Sequence, residues 1–121
     1  MHYLCRMNTE NQNAQMRKGV LELCILAIIA QQDAYASDII IRLKEARLIV
    51  VEGTLYPLLT RLKNDGLTVY RWEESKSGPP RKYHQITATG MQALAELKAD
   101  WQDLIGSVEK IIQTLSPPND P

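Results

Sequence analysis

Cysteine is scarce in this chain, with Cys5 and Cys24 as the only two. Cys24 sits inside an apolar run and reads as a small buried hydrophobe, while Cys5 lies in a polar N-terminal stretch. That usage excludes a disulfide-stapled secreted scaffold and fits a reducing compartment, so a cytoplasmic location is expected. Long apolar runs are also missing. The longest, Val20 to Ala30, falls far short of the roughly 20 residues a membrane span needs, and no cleavage-site pattern follows it. A membrane partner is therefore not expected. Net charge is absent as well, because 14 basic residues balance 14 acidic ones. That balance argues against a blanket polyanion binder.

Chemistry-bearing motifs are equally sparse. His2, His84, Cys5 and Cys24 show no metal-ligand spacing, so neither a metal site nor a cofactor is expected. No glycine-rich phosphate loop or nucleophile elbow occurs, and the acidic residues are scattered over polar faces. Nothing in the sequence would carry catalysis.

At 121 residues the chain suits one domain. Residues 1–14 are polar and read as a flexible arm, with Met7 as a second candidate start. A first helix is expected from about Gln15–Lys18 through Ala30, apolar nearly all round and so central to the fold. Asp33 is the expected N-cap of a second helix reaching about Glu45, with Ala36, Ile39, Ile40 and Leu43 at helical spacing. A loop of about six residues precedes a third helix, Thr54–Asp65, stopped by Gly66. Pro57 is placed in that helix's first turn, where a missing donor costs little. A hairpin follows: one strand over Leu67 to Trp72 or Glu73, a turn over Glu74–Pro80, and a second strand over Arg81–Ile86. Thr87 caps a long helix ending near Thr114, and residues 116–121 read as a disordered tail. The fold class is mainly α with a β-hairpin. Residues 15–86 form a winged helix-turn-helix, and residues 87–115 form a C-terminal dimerisation helix.

Local charge supports a nucleic-acid face. Between Thr54 and Ile86, Arg61, Lys63, Arg71, Lys76, Arg81 and Lys82 outnumber Asp65, Glu73 and Glu74. Beyond Thr87 the balance reverses. On the third helix, Leu55, Leu58, Leu59 and Leu62 face the core, leaving Thr54, Tyr56, Pro57, Thr60, Arg61, Lys63 and Asn64 outside. Tyr56, Thr60 and Lys63 share one face at spacings i, i+4, i+7. Such residues pair with phosphates and base edges, although any solvated helix face carries similar types. The hairpin tip adds Lys76, Arg81, Lys82 and Tyr83 around Gly78-Pro79-Pro80, a basic wing suited to the backbone or minor groove. Arg17 and Lys18, at the start of the first helix, complete the candidate DNA-binding set. Strand alternation puts His84 with Ile86 on the inward face, where packing is its expected role.

The last helix carries a seam. Leu94, Leu97, Trp101, Leu104, Val108, Ile111 and Leu115 follow alternating spacings of three and four, widened by Ile105 and Ile112. A helix of about 28 residues spans roughly 40 Å, more than so small a domain can cover. A second copy of the chain is the simplest partner, and two-fold symmetry would then set two reading helices about 34 Å apart. Trp101 and Ile105 are candidate contacts for a flat aromatic effector between protomers, with plain interface packing as the alternative.

These residues resemble a known family. Glu52-Gly53-Thr54-Leu55-Tyr56-Pro57, then Leu59, Arg61-Leu62 and Gly66-Leu67, is similar to the signature of PadR transcriptional regulators. So are Gly78-Pro79-Pro80-Arg81-Lys82-Tyr83, Ile86-Thr87, Gly90, and Val20-Leu21-Glu22. The similarity runs from about Arg17 to Ile112 and matches the short subfamily with a single C-terminal helix. It implies a dimeric winged-helix repressor whose Thr-Leu-Tyr-Pro helix enters the major groove and whose Pro-Arg-Lys-Tyr wing touches the backbone. Some members bind aromatic compounds at the dimer interface. Two positions depart from the pattern: Ala36-Ser37-Asp38 opens the second helix, and His84 follows Tyr83 where a second aromatic is usual. The expected function is a dimeric, sequence-specific regulator of double-stranded DNA, a repressor relieved by a small ligand. A winged-helix protein-interaction module and a ligand carrier using Trp101 are the alternatives.

Overall fold

The computed structural model describes residues 19–116. The expected arm over residues 1–14, the residues Arg17 and Lys18, and the tail beyond residue 116 lie outside the described residues. Helix α1 covers residues 19–31, and Leu21, Ile25, Leu26, Ile28 and Ile29 along it are buried. Cys24 is half-buried against this core, and burial pushes its thiol pKa up. Helix α2 spans Ala36–Glu45 and contributes Ile39 and Leu43. Helix α3 spans Glu52–Asn64 and contributes Leu55, Leu58, Leu59 and Leu62, the leucines at helical spacing in the sequence.

The start of α2 differs from the Asp33 cap. Ala34 forms a two-way bridge with His84, its N–H donating to the His84 carbonyl at 3.0 Å and its carbonyl accepting from the His84 N–H at 2.8 Å. That bridge keeps the chain extended through Tyr35, so the helix begins at Ala36. The Asp38 carboxylate accepts from the Tyr35 N–H at 3.0 Å, while Asp33 accepts from the Gln85 side-chain amide at 2.8 Å.

Helix α3 begins two residues earlier than the Thr54 start, which puts Pro57 past the first turn. Its missing N–H leaves the Gly53 carbonyl without an i+4 partner, and Gly53 and Pro57 are both exposed to solvent. The end of α3 is as expected. Gly66 takes φ +76°, its N–H reaches the Lys63 carbonyl, and the Leu67 N–H reaches the Leu62 carbonyl, each at 3.0 Å.

Strands β1 (Thr68–Ser75) and β2 (Gly78–Ile86) pair antiparallel, with Thr68 opposite Ile86, Tyr70 opposite His84 and Trp72 opposite Lys82. The hairpin is longer than the sequence reading, and its turn shrinks to Lys76-Ser77 with a register irregularity between Glu73 and Ser75. Pro79 and Pro80 lie inside β2 rather than in the turn, which a two-stranded ribbon tolerates because each strand has an open edge. Helix α4 spans Ala88–Ile112, two residues short of Thr114. The Thr87 hydroxyl caps it, accepting from the Gly90 N–H at 2.9 Å and donating to the Gly66 carbonyl at 2.7 Å. The architecture is a three-helix core, a two-stranded wing, and a projecting C-terminal helix. None of the described helices is long and apolar enough to cross a membrane.

Candidate nucleic-acid interface

The polar face of α3 and the wing converge on one concavity. Burial of the four leucines fixes the roll of α3, which turns Tyr56, Thr60 and Lys63 to the opposite side. Arg81 and Lys82, adjacent on β2, point in opposite directions and border the concavity at different places, Lys82 beside Tyr70 and Trp72 and Arg81 beside Tyr35. A cavity of about 480 Å³ is lined by these five residues, by Tyr35, Ala36 and Ser37 at the start of α2, and by Glu52, Tyr70, Trp72 and Pro80. Tyr56, Thr60, Lys63, Arg81 and Lys82 are thus brought together.

The remaining candidates fall elsewhere. Thr54 and Pro57 are exposed on α3, and Lys76 is exposed at the hairpin tip, all outside the cavity lining. Arg61 turns toward α1, where its Nη1 lies 3.2 Å from Glu22 Oε1. Tyr83 is half-buried, with its ring centroid 4.7 Å from that of Tyr35. Sequence reasoning missed Tyr35, Ser37, Tyr70 and Trp72. The last two carried a usable signal, since strand alternation sets Tyr70 and Trp72 on one face opposite His84 and Lys82.

Those rings organise the cations. Lys82 Nζ lies 4.5 Å from the Tyr70 centroid and 5.6 Å from that of Trp72, and Lys63 Nζ lies 5.7 Å from Tyr70. The Arg81 guanidinium stands 4.1 Å from the Tyr35 centroid. Among the described residues none of these three cations has an ion-pair partner; the Glu73 and Asp33 carboxylates go to Arg71, at 2.8 and 3.7 Å. Glu52 is the one carboxylate lining the cavity. The surface combines uncompensated positive charge with exposed aromatic faces, a combination suited to phosphates and stacked sugars or bases. His84 is buried beneath it, 5 % exposed, with Nδ1 unpartnered. Burial lowers its pKa, and the nearby Lys82 charge lowers it further, so the neutral imidazole is favoured. Among the described residues no cluster of three or more His, Cys, Asp or Glu is arranged to hold a metal ion.

The α4 seam divides. Leu94 and Leu97 pack against the domain's own core rather than projecting as a free stripe. From Trp101 onward Leu104, Ile105, Val108, Ile111, Ile112 and Leu115 are exposed, with Ile111 and Leu115 each at 72 %. Trp101 and Ile105, the candidate effector contacts, lie on this outer stretch and not on the α3–wing cavity.

Known proteins share this fold. The family model described as the transcriptional regulator PadR-like family matches residues 25–96. A PadR-like transcription factor from Bacteroides fragilis is 60 % identical, with 84 % of this chain and 98 % of that one covered and a TM-score of 0.72. A PadR-like transcriptional regulator from Bacillus cereus is 38 % identical over 84 % of this chain and 99 % of that one, with a TM-score of 0.74. A PadR family transcriptional regulator from Eggerthella lenta is 28 % identical over 93 % and 99 %, with a TM-score of 0.80. These matches span the helices and the wing that build the concave basic surface, and the chain belongs to the PadR-like family of transcriptional regulators, which are not enzymes.

Proposed function

We propose that the protein is a homodimeric, sequence-specific DNA-binding repressor working in the cytoplasm. Helix α3 enters the major groove and the β1–β2 wing follows the phosphate backbone. The carrying observation is that Tyr56, Thr60 and Lys63 of α3 meet Arg81 and Lys82 of the wing on one surface, where the three cations have no carboxylate partner among the described residues. A polyanion would supply the missing counter-charge. The exposed apolar stretch of α4 from Trp101 to Leu115 supports pairing with a second copy, which would present two reading heads to successive major grooves. A small aromatic molecule bound near Trp101 and Ile105 between protomers would change their spacing and relieve repression.

The test is titration of a duplex from the protein's own upstream region at several salt concentrations. The log–log slope should be about −0.9 per phosphate contacted. Replacing Lys63, Arg81 and Lys82 with Ala should abolish binding while leaving the oligomeric state unchanged. Binding indifferent to salt, or to all three substitutions, would refute the reading.

A further inference from the structure

Arg81 is held from outside the wing. Its guanidinium stands 4.1 Å from the ring of Tyr35, the residue immediately before α2. The Tyr35 ring packs at 46° against Tyr83, with centroids 4.7 Å apart, and the Arg71 guanidinium lies 4.5 Å from Tyr83. The two arginines differ in what they have left to offer. Arg71 is neutralised by Glu73 and Asp33, whereas Arg81 has no ion-pair partner among the described residues. A guanidinium stacked through its face keeps its in-plane N–H donors available. Arg81 is therefore restrained without being satisfied.

Tyr35 itself has a fixed base. Its N–H is held by the Asp38 carboxylate at 3.0 Å, and the preceding residue, Ala34, is bridged to His84 of β2. We propose that Tyr35 is a positioning residue for DNA binding. Its ring orients Arg81 so that the guanidinium edge meets a backbone phosphate. This inference rests on the DNA-binding reading above. It explains why an aromatic residue outside both the recognition helix and the wing lines their shared cavity.

The experiment is a double-mutant cycle read by fluorescence anisotropy on the same upstream duplex at fixed salt. Tyr35→Leu should weaken binding about threefold to fivefold, the range of an exposed cation–π contact. Tyr35→Phe, which keeps the ring, should stay within about twofold of the unaltered protein. In an Arg81→Ala background, Tyr35→Leu should have no further effect. Equal losses in both backgrounds, or an equal loss for Phe and Leu, would overturn the proposal. A readout without DNA is the Arg81 Nε–H resonance, which the Tyr35 ring current shifts and which Tyr35→Leu should return toward that of a free arginine. An unmoved resonance would also overturn the proposal. Failure of the unaltered protein to bind DNA would remove the parent reading and this role together, whereas binding with additive losses would remove this role alone.

Discussion

Gly90 lies so close to Leu67 that a side chain at position 90 would overlap the Leu67 carbonyl oxygen. A Cβ there would also stand 2.7 Å from Ile86 Cγ1. Around this contact, the Thr87 N–H donates to the same Leu67 carbonyl at 3.1 Å, and the Thr87 hydroxyl joins the Gly66 carbonyl to the Gly90 N–H. The junction ties the end of α3 to the start of α4 across the base of the wing.

Gly90→Ala should accordingly destabilise the fold by about 1–3 kcal/mol, because the contact is backbone and cannot swing aside. Thermal unfolding should show a midpoint lowered by several degrees. A midpoint equal to that of the unaltered protein would mean that the junction relaxes freely. Gly106, which has nothing within 4 Å of an added Cβ, is the control position.

Stability should fall in mild acid through His84. Its folded pKa lies below the ordinary 6.5, chiefly from burial and then from Lys82. As pH drops below 6.5, the unfolded chain takes up a proton that the folded chain resists, so unfolding becomes more favourable. The contribution is complete above that pH and declines toward the lowered folded pKa. Urea midpoints between pH 7.5 and 5.5 should therefore decrease, and His84→Gln should flatten the decline. The same slope in both proteins would assign it to other groups.

Arg61 and Lys63 should behave differently although they sit two residues apart. Arg61 reaches Glu22, whereas Lys63 lines the α3–wing cavity. Lys63→Ala should weaken DNA binding and reduce the salt slope by about 0.9, with a smaller effect from Arg61→Ala. The Arg61–Glu22 pair is largely exposed on the arginine side, 56 %, so losing it should cost no more than about 1 kcal/mol of stability. Equal slope losses in the two variants would restore Arg61 to the phosphate-contacting set.

The outer part of α4 should control assembly. Leu104→Glu with Val108→Glu places charge in the exposed stretch while leaving Leu94 and Leu97 on the core. Sedimentation should give twice the 13.7 kDa chain mass for the unaltered protein and a single chain for the variant, with helical content retained. An unaltered protein that sediments as one chain at micromolar concentration would end the dimer proposal.

Periodicity and local capping chemistry are written residue by residue, and here they sufficed for the element order. Leu55, Leu58, Leu59 and Leu62 announce a buried stripe at any helix roll, Gly66 is suited to φ +76°, and Thr87 needs only Gly90 three residues on. Contacts between distant segments carry no such local signature. The bridge from Ala34 to His84 moved the start of α2, and Glu22 drew Arg61 aside. Packing of Tyr35, Tyr70 and Trp72 around the cations depended on where the hairpin folds back over α3. Backbone preferences act over a turn of chain, so composition and spacing settle helices, strands and caps. Which charges find a partner is a matter of distance in space, and that was decided when the wing closed against the helical core.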